Sequence, residues 1–291
     1  MGDGDISFPN LGIYLTDVPK SFTIFGFTVA WYGVLIGIGV MLAIFLIAHE
    51  AKKQGMNPDD FYDGALYIII FGILGARLYY VIFSWDYYKN NLLSILNIRQ
   101  GGLAIYGGVI AGFITLIIYC KQKKINFLKY GDVAFLGVLV GQIMGRWGNF
   151  TNREVFGRYT DGLFAMRLPI AAVRSRDIDE SIRSHIVEGT NYIQVHPTFL
   201  YESFCNLCLL GIILLCQKKK AFDGEVILWY GAGYGIIRFI IEGIRTDRLL
   251  IGGTNIAVSQ MLGLMLFAVS LVIDIVVRAK MYKSLKSKKT E

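Results

Sequence analysis

The chain has 291 residues, of which 54% are apolar and only 18% are charged, and its mean hydropathy is +0.50. These values exclude an ordinary water-soluble globular protein and indicate a membrane protein. The net charge of +7 does not point to nucleic acid as a partner, because the basic residues form short clusters between apolar runs, such as Lys121 to Lys124 and Lys218 to Lys220. Such clusters are typical of loops that face an anionic membrane surface.

Seven apolar runs are long enough to cross the bilayer core, which takes about 20 residues. They cover approximately 28–48, 64–84, 103–120, 131–149, 198–216, 226–244 and 257–277. The sequence therefore predicts an all-α membrane protein, with about seven transmembrane helices in a bundle and residues 1–291 as a single integral membrane domain.

Lysine is concentrated in the loops after the first, third and fifth runs and in the tail after the seventh. By the positive-inside rule these parts are cytoplasmic, so we expect the N-terminus outside and the C-terminus in the cytoplasm. The segment 150–197 then lies outside although it contains six arginines, because long loops cross the membrane largely regardless of charge. We expect it to form a small external head of turns and short strands, with or without a helix.

The four cysteines lie within or beside apolar runs, so the sequence predicts neither a disulfide framework nor a zinc site. Cys205 and Cys208 have a spacing found in metal sites, but no second pair accompanies them. Acidic pairs that suit magnesium are also missing from the predicted outer helix ends. We therefore expect no metal and no cofactor.

Glycines recur at intervals of four residues in two of the runs. Gly108 and Gly112 lie in the third run, and Gly137, Gly141 and Gly145 lie in the fourth. This spacing predicts close contacts between helices, because small residues let two backbones approach each other in a membrane.

Four places combine charged side chains with apolar surroundings, where a charge costs about 2.5–3.5 kcal/mol and has to face the bundle interior, water or the interface. They are Arg77 in FGILGARLYY, Arg146 in GRWGNFTNREVFG, the group His196, Tyr201 and Glu202 in HPTFLYES, and the group Tyr234, Arg238, Glu242 and Arg245 in YGIIRFIIEGIR. Such places are candidates for a functional site.

The last of these groups forms a polar stripe, because spacings of four, four and three residues bring its side chains to one face of a helix. A structural interpretation stays open, in which Arg238 and Glu242 neutralise each other and brace neighbouring helices. Arg146, Asn149 and Asn152 form a second group at the end of the fourth run, for which capping of the helix end is the alternative.

Two arginines on separate predicted helices, Arg146 and Arg238, fall at the depth of phospholipid headgroups. A guanidinium group offers paired donors that match phosphate oxygens, whereas lysine, which lacks this geometry, is absent from these helix interiors. The pattern predicts a clamp for the phosphate of a substrate with an anionic head and apolar tails.

Tyr106 lies in the glycine-rich segment GGLAIYGGVIAG at the start of the third run, and Tyr32 lies in AWYGVLIG in the first. Both are candidates for the site, with membership of an interfacial aromatic belt as the alternative. No strand precedes the glycines, so a dinucleotide-binding motif is not indicated.

The segment from Gly145 to Gly157, GRWGNFTNREVFG, resembles the signature GRxGNFxNxExxG of the bacterial phosphatidylglycerol–prolipoprotein diacylglyceryl transferase family at each of its eight fixed positions. HPTFLYES and YGIIRFIIEGIR resemble two further blocks of this family, in the same order and with comparable spacing. The resemblance covers essentially the whole chain.

The resemblance implies an enzyme that moves the diacylglyceryl group of phosphatidylglycerol to the thiol of the lipobox cysteine in a prolipoprotein signal peptide. A thioether forms and glycerol phosphate is released, as the first step of lipoprotein maturation. The implied location is the bacterial plasma membrane, with the active site towards the outer leaflet and with membrane lipids and prolipoproteins as partners. Carried over by position, the site residues are Arg146 and Arg238 for the lipid phosphate, with Asn149, Glu154, Gly157, Tyr32, Tyr234, Glu242 and Arg245 around them.

At Tyr106 the chain departs from many family members, which carry histidine there as a candidate general base. A neutral phenol is a poor base at neutral pH, so the base stays open among Tyr106, Glu242, Glu154 and His196. Tyrosine at this position resembles the Gram-positive branch of the family.

Two other classes of protein compete with a transferase. A lipid or anion transporter also buries arginines, but it should carry inverted repeats and helices broken at mid-membrane, and neither is visible in the sequence. An intramembrane protease needs a serine–histidine pair, an aspartate pair or a metal motif in its helices, and the runs contain none.

Overall fold

The computed structural model describes residues 1–98 and 101–287. Its helices are α1 Trp31–Lys53, α2 Pro58–Phe83, α3 Trp85–Tyr88, α4 Ile105–Lys123, α5 Phe127–Asn152, α6 Glu180–Arg183, α7 Thr198–Cys216, α8 Glu225–Ile244 and α9 Val258–Ser287. Within the described residues, all of these except the short α3 and α6 are long and apolar enough to cross a membrane, which gives seven candidate spans. The predicted fold class is confirmed, whereas the end of the lysine-rich tail, from residue 288, lies outside the described residues.

The helix ends differ from the predicted apolar runs for local reasons. Helix α2 begins at Pro58, before its apolar run, because the side-chain oxygen of Asn57 accepts a hydrogen bond from the Asp59 backbone N–H at 3.1 Å and proline suits the first turn. Helix α1 begins only at Trp31, because residues 27–30 form a strand. The local structure beside an apolar run, a capping residue for α2 and a strand for α1, thus decides where the helix begins.

Six short strands lie before α1 and between α5 and α7: β1 Ile6–Phe8, β2 Ile13–Leu15, β3 Ser21–Ile24, β4 Phe27–Ala30, β5 Met166–Pro169 and β6 Tyr192–Val195. Strands β3 and β4 form a hairpin, and both of its turn residues, Phe25 and Gly26, have positive φ as a type I′ turn requires. The other four strands form one antiparallel sheet in the order β2, β1, β5, β6.

The predicted head segment 150–197 supplies half of this sheet, and the N-terminal strands supply the rest. Ile6 of β1, Leu168 of β5 and Ile193 of β6 are buried together in the apolar core beside it. The sequence does not predict the N-terminal strands, because runs of three residues are too short to show the alternation of a strand.

The chain divides into two compact units. One contains Met1–Ala43 and Phe135–Glu291, with the sheet, α7, α8 and α9, and the other contains Ile44–Ala134, with α2, α3 and α4. Of the residues that the sequence singled out for the site, Tyr106 and Arg77 lie in the second unit.

The glycine spacing in α4 serves close packing against α2, as predicted. A Cβ atom at Gly108 would lie 3.4 Å from the carbonyl oxygen of Gly72, and one at Gly112 would lie 3.4 Å from the Ile68 side chain. Small residues therefore bring these two helices together.

The same spacing in α5 does not produce such a contact at Gly141 or Gly145, so the prediction is not supported for these two positions. A Cβ atom at Gly141 or Gly145 would meet no atom of the described residues within 4 Å, so no neighbouring backbone requires glycine there. A close helix contact occurs instead between α8 and α9, where a Cβ at Gly235 would lie 2.6 Å from the carbonyl oxygen of Gly263. Spacing alone does not tell which face of a helix meets a neighbour.

Candidate functional site

Arg146 and Arg238 converge on one buried carboxylate. Arg146 Nη2 lies 2.7 Å from Glu202 Oε1, and Arg238 Nη1 lies 3.6 Å from Glu202 Oε2. The three residues come from α5, α8 and α7, and the Glu202 side chain is only 1% exposed. Three helices thus place two arginines on either side of a single acidic group.

The polar stripe of α8 continues this charged cluster. Arg238 Nη2 lies 2.6 Å from Glu242 Oε2, and Arg245 Nη1 lies 3.5 Å from the same oxygen. Arg245, just past the end of α8, also holds Asp247 in a two-point ion pair with distances of 2.9 and 2.7 Å. Burial disfavours the charged form of Asp247, but its bonds to Arg245 outweigh this and hold its pKa below the usual value.

The ion pair of Arg238 and Glu242, which sequence reasoning left open as a structural brace, is therefore present, but it is not isolated. The cluster holds three arginines, Arg146, Arg238 and Arg245, and three carboxylates, Glu202, Glu242 and Asp247. It is electrically neutral as a whole, and this neutrality lets so many charges be buried together.

The polar side chains of GRWGNFTNREVFG form a chain of hydrogen bonds. Arg146 Nη1 donates to Asn149 Oδ1 at 3.1 Å, and Asn149 and Asn152 each donate to Glu154 Oε1 at 3.2 Å. Arg174 Nη2 lies 2.8 Å from Glu154 Oε2. The described side-chain bonds of the two asparagines thus go to Arg146 and Glu154 rather than to the helix backbone, which argues against a simple helix cap.

Gly157 lies where three parts of the chain meet. Its N–H donates to the carbonyl of His196 at 2.9 Å, and the next residue, Arg158, donates to the carbonyl of Ile244 at 2.8 Å. A Cβ atom at Gly157 would lie 2.8 Å from His196 Cβ and 3.0 Å from the Ile244 carbonyl oxygen. Glycine here lets the loop after α5 hold the start of α7 and the end of α8, and so sets the positions of Glu202 and Glu242.

Two tyrosines border the cluster within the same unit. A Cβ atom at Gly148 would fall inside contact distance of the Tyr32 ring, so Tyr32 packs against α5 half a turn beyond Arg146. Tyr234 lies one turn before Arg238 on α8 and stacks on Tyr230, with 5.6 Å between ring centroids. Both rings lie beside the arginines rather than in an isolated belt.

His196 does not join the charged cluster through any contact of the described residues. Its Nδ1 lies 3.3 Å from the Tyr201 hydroxyl, and its backbone joins Gly157 and Arg158. Burial lowers the pKa of His196 from the ordinary value of 6.5, so the imidazole is neutral at pH 7.

Acidification is therefore expected to destabilise the protein partly through His196. When the pH falls from about 7.5 to about 5.5, the unfolded chain binds a proton at this histidine more readily than the folded chain, which favours unfolding. His196→Gln should lose less thermal stability over this interval than the wild type, as measured by Tm in detergent. His185→Gln, which removes an exposed histidine, is the control and should follow the wild type. An equal loss in His196→Gln and the wild type would contradict the expectation.

The other unit contains two residues that the sequence singled out. Tyr106 lies in the first turn of α4 and is 58% exposed. Arg77 of α2 is buried, and its five N–H groups donate at 2.7–3.1 Å to the backbone carbonyls of Ser94, Ile95, Asn97, Gly101 and Gly102. It organises the chain between α3 and α4 and is not free to bind an anion.

Glu202 and Asp247 are the members of the cluster to which sequence reasoning gave no role. Glu202 stood out as a charged residue at the start of α7, but its partners lie 56 and 36 positions away in the chain, and no local spacing indicates them. Asp247 lies just past α8, outside the helical stripe in which a four-residue period could be recognised. In the described part of the chain no three His, Cys, Asp or Glu side chains are grouped so that they could hold a metal ion.

Comparison with known proteins gives a family and close relatives. The family model for prolipoprotein diacylglyceryl transferase matches residues 19–276. The protein named phosphatidylglycerol–prolipoprotein diacylglyceryl transferase from Finegoldia magna is 38% identical over 265 residues, which are 91% of this chain and 97% of the relative. Proteins of the same name from Clostridioides difficile and Bacillus mycoides are 41% and 40% identical, over 81% and 88% of this chain and 87% and 90% of their own lengths. This chain therefore belongs to the prolipoprotein diacylglyceryl transferase family.

Proposed function

We propose that this chain transfers the diacylglyceryl group of phosphatidylglycerol to the thiol of a lipobox cysteine in a prolipoprotein. The product is a thioether and the leaving group is glycerol phosphate, and the reaction is the first step of lipoprotein maturation. The observation that carries the proposal is the convergence of Arg146 and Arg238, from two apolar helices, on one buried anion. The names of the relatives supply the reaction.

The clamp suits a phosphodiester. Two guanidinium groups facing one carboxylate define a place for an anion with two oxygens, and a phosphodiester presents two non-bridging oxygens in a similar fork. In the described residues, Arg238 Nη1 makes no hydrogen bond, so this nitrogen still has capacity for a phosphate oxygen. Because the clamp lies near the ends of apolar helices, a lipid can place its phosphate there while its acyl chains stay in the membrane.

The reaction follows from this placement. The substrate thiolate attacks the glyceryl carbon that bears the phosphate ester, the C–O bond breaks, and negative charge grows on the leaving phosphate. Arg146 and Arg238 stabilise this charge more in the transition state than in the diester, which lowers the barrier. Glu242 and Asn149 hold the two guanidinium groups in place.

The remaining predicted residues surround this centre in the proposal. Glu154 fixes Asn149, Gly157 sets the helix ends, and Tyr32, Tyr234 and Arg245 line or support the pocket. Tyr106, Glu242, Glu154 and His196 are the candidates for the base that the sequence offers. Glu242 and Glu154 already neutralise arginines, and His196 contacts Tyr201.

The proposed setting is the bacterial plasma membrane, with the N-terminus outside, the C-terminus in the cytoplasm and the cluster towards the outer leaflet. The lysine-rich loops support this orientation. The partners are phosphatidylglycerol, other membrane lipids and prolipoprotein signal peptides, and nucleic acid is not among them. The proposed reaction uses no metal and no cofactor, so a chelator should leave it unchanged.

The test is transfer of label from phosphatidylglycerol, labelled in its acylated glycerol, to a lipobox peptide by the purified full-length protein in EDTA. Label is expected on the peptide with cysteine and not on a matched peptide with serine. If a known transferase labels the peptide in the same assay and this protein does not, the proposed function is wrong. If EDTA abolishes transfer, the metal-free mechanism is wrong.

A further inference from the structure

Among the three carboxylates of the cluster, Glu202 is the one that pairs with both Arg146 and Arg238 and with no other cation of the described residues. Its oxygens face Arg146 at 2.7 Å and Arg238 at 3.6 Å. Glu242 also pairs with Arg245, which has a further partner in Asp247. An incoming phosphate that takes over Arg146 and Arg238 therefore competes with Glu202 more directly than with any other acid in the cluster.

The arrival of the lipid also changes the charge balance. Without it, three arginines face three carboxylates, and a phosphodiester adds one negative charge. An excess negative charge is costly in a buried site, so a carboxylate that the phosphate has displaced from its arginines gains affinity for a proton, which the incoming thiol can supply. A buried carboxylate that has lost its cationic partners is the group that favours its protonated form most.

We propose that Glu202 is the general base of the reaction, and that it removes the proton from the lipobox thiol after the lipid phosphate has taken its place on Arg146 and Arg238. This inference rests on the proposed function. Substrate binding then creates the base, because the lipid itself releases the Glu202 carboxylate. A thiol that arrives before the lipid meets an acid already neutralised by two arginines and stays protonated.

The step balances in atoms and charge. The thiol proton moves to Glu202, the sulfur forms a bond to the glyceryl carbon, and the C–O bond to the phosphate breaks with its electron pair on oxygen. The proton on Glu202 then passes to the leaving phosphate, which departs as the singly charged form of glycerol phosphate. Glu202 is again a carboxylate, free to pair with Arg146 and Arg238.

The test compares two nucleophiles on Glu202→Gln in the full-length protein. A cysteine thiol, with a pKa near 8.5, needs a base, whereas the selenol of selenocysteine is ionised at neutral pH and does not. With a cysteine peptide we expect Glu202→Gln to lower the transfer rate by about 10²–10³-fold. With a selenocysteine peptide under reducing conditions, the rate should recover to within about tenfold of the wild type.

Arg146→Lys is the matched control, because it weakens the phosphate clamp and leaves the carboxylate in place. It should be slow with both nucleophiles. The proposal is overturned if Glu202→Gln is equally slow with selenocysteine, or if it keeps the wild-type rate with cysteine.

If the glutamine variant does not fold, Glu202→Asp serves instead, and its ratio of selenocysteine to cysteine rates should exceed that of the wild type at least about tenfold. An unchanged ratio would show that Glu202 is not the base. If the wild type itself does not label a cysteine peptide, the proposed function is refuted, and this outcome differs from a defect that only the Glu202 variants show.

Discussion

Arg146→Ala and Arg238→Ala are each expected to lower diacylglyceryl transfer by about 10²–10³-fold, the usual cost of losing one donor that stabilises a developing negative charge. The two arginines lie on different helices and face the same carboxylate, so neither can replace the other. Lysine at either position should recover only part of the rate, because an ammonium group supplies charge without the paired donors. The measurement is the initial rate of label transfer from phosphatidylglycerol to a lipobox peptide.

Stability has to be measured alongside these rates. Either alanine variant leaves Glu202 buried with one cation fewer, and breaking a buried ion pair costs about 3–5 kcal/mol. Rates should therefore be compared at a temperature at which wild type and variants are equally folded. Arg176→Ala is the control, because this side chain is 76% exposed in the head and has only a loose pair with Asp177. Its transfer rate should stay within about twofold of the wild type. If Arg146→Ala and Arg238→Ala both keep the wild-type rate, these arginines do not take part in the reaction.

The helices could be predicted from the sequence because each span buries its own backbone hydrogen bonds and needs only a long apolar run. The four-residue interval between Arg238 and Glu242 likewise left open an ion pair, and this pair is present at 2.6 Å. Both features depend on residues close together in the chain, and local spacing is what a single sequence displays.

Features that join distant parts of the chain could not be predicted from the sequence. The contact of Arg146 with Glu202 joins residues 56 positions apart, and the sheet joins β1 to β5 across most of the chain. The open face at Gly145 shows the same limit, because a small residue permits a close contact and does not specify a partner. The sequence thus singled out Arg146, Arg238 and Glu202 separately, but it did not predict the contacts that join them.

Arg77 shows why a charge within an apolar helix is not by itself a functional site, and its replacement should have a large effect on stability. Its guanidinium group has no described acidic partner and instead donates to the carbonyls of residues 94, 95, 97, 101 and 102. Gly101 and Gly102 in this segment adopt positive φ, which presents two of these carbonyls to the same Nη1 atom. The segment leads into α4, and Arg77 joins five of its carbonyls to α2.

Arg77→Met keeps much of the side-chain length and removes all five donors, and it is expected to destabilise the protein by about 3–5 kcal/mol because five partly buried hydrogen bonds to carbonyls are lost. Arg77→Lys, with three donors in a different geometry, should fall between methionine and the wild type. The measurement is thermal unfolding in detergent at fixed lipid content, with limited proteolysis to locate cleavage in residues 84–104. Leu78→Met, one position along α2 and 61% exposed, is the matched control and should change stability by less than about 0.5 kcal/mol. If Arg77→Met unfolds at the wild-type temperature and resists cleavage as the wild type does, Arg77 does not organise this segment. The structural role given to Arg77 is then wrong.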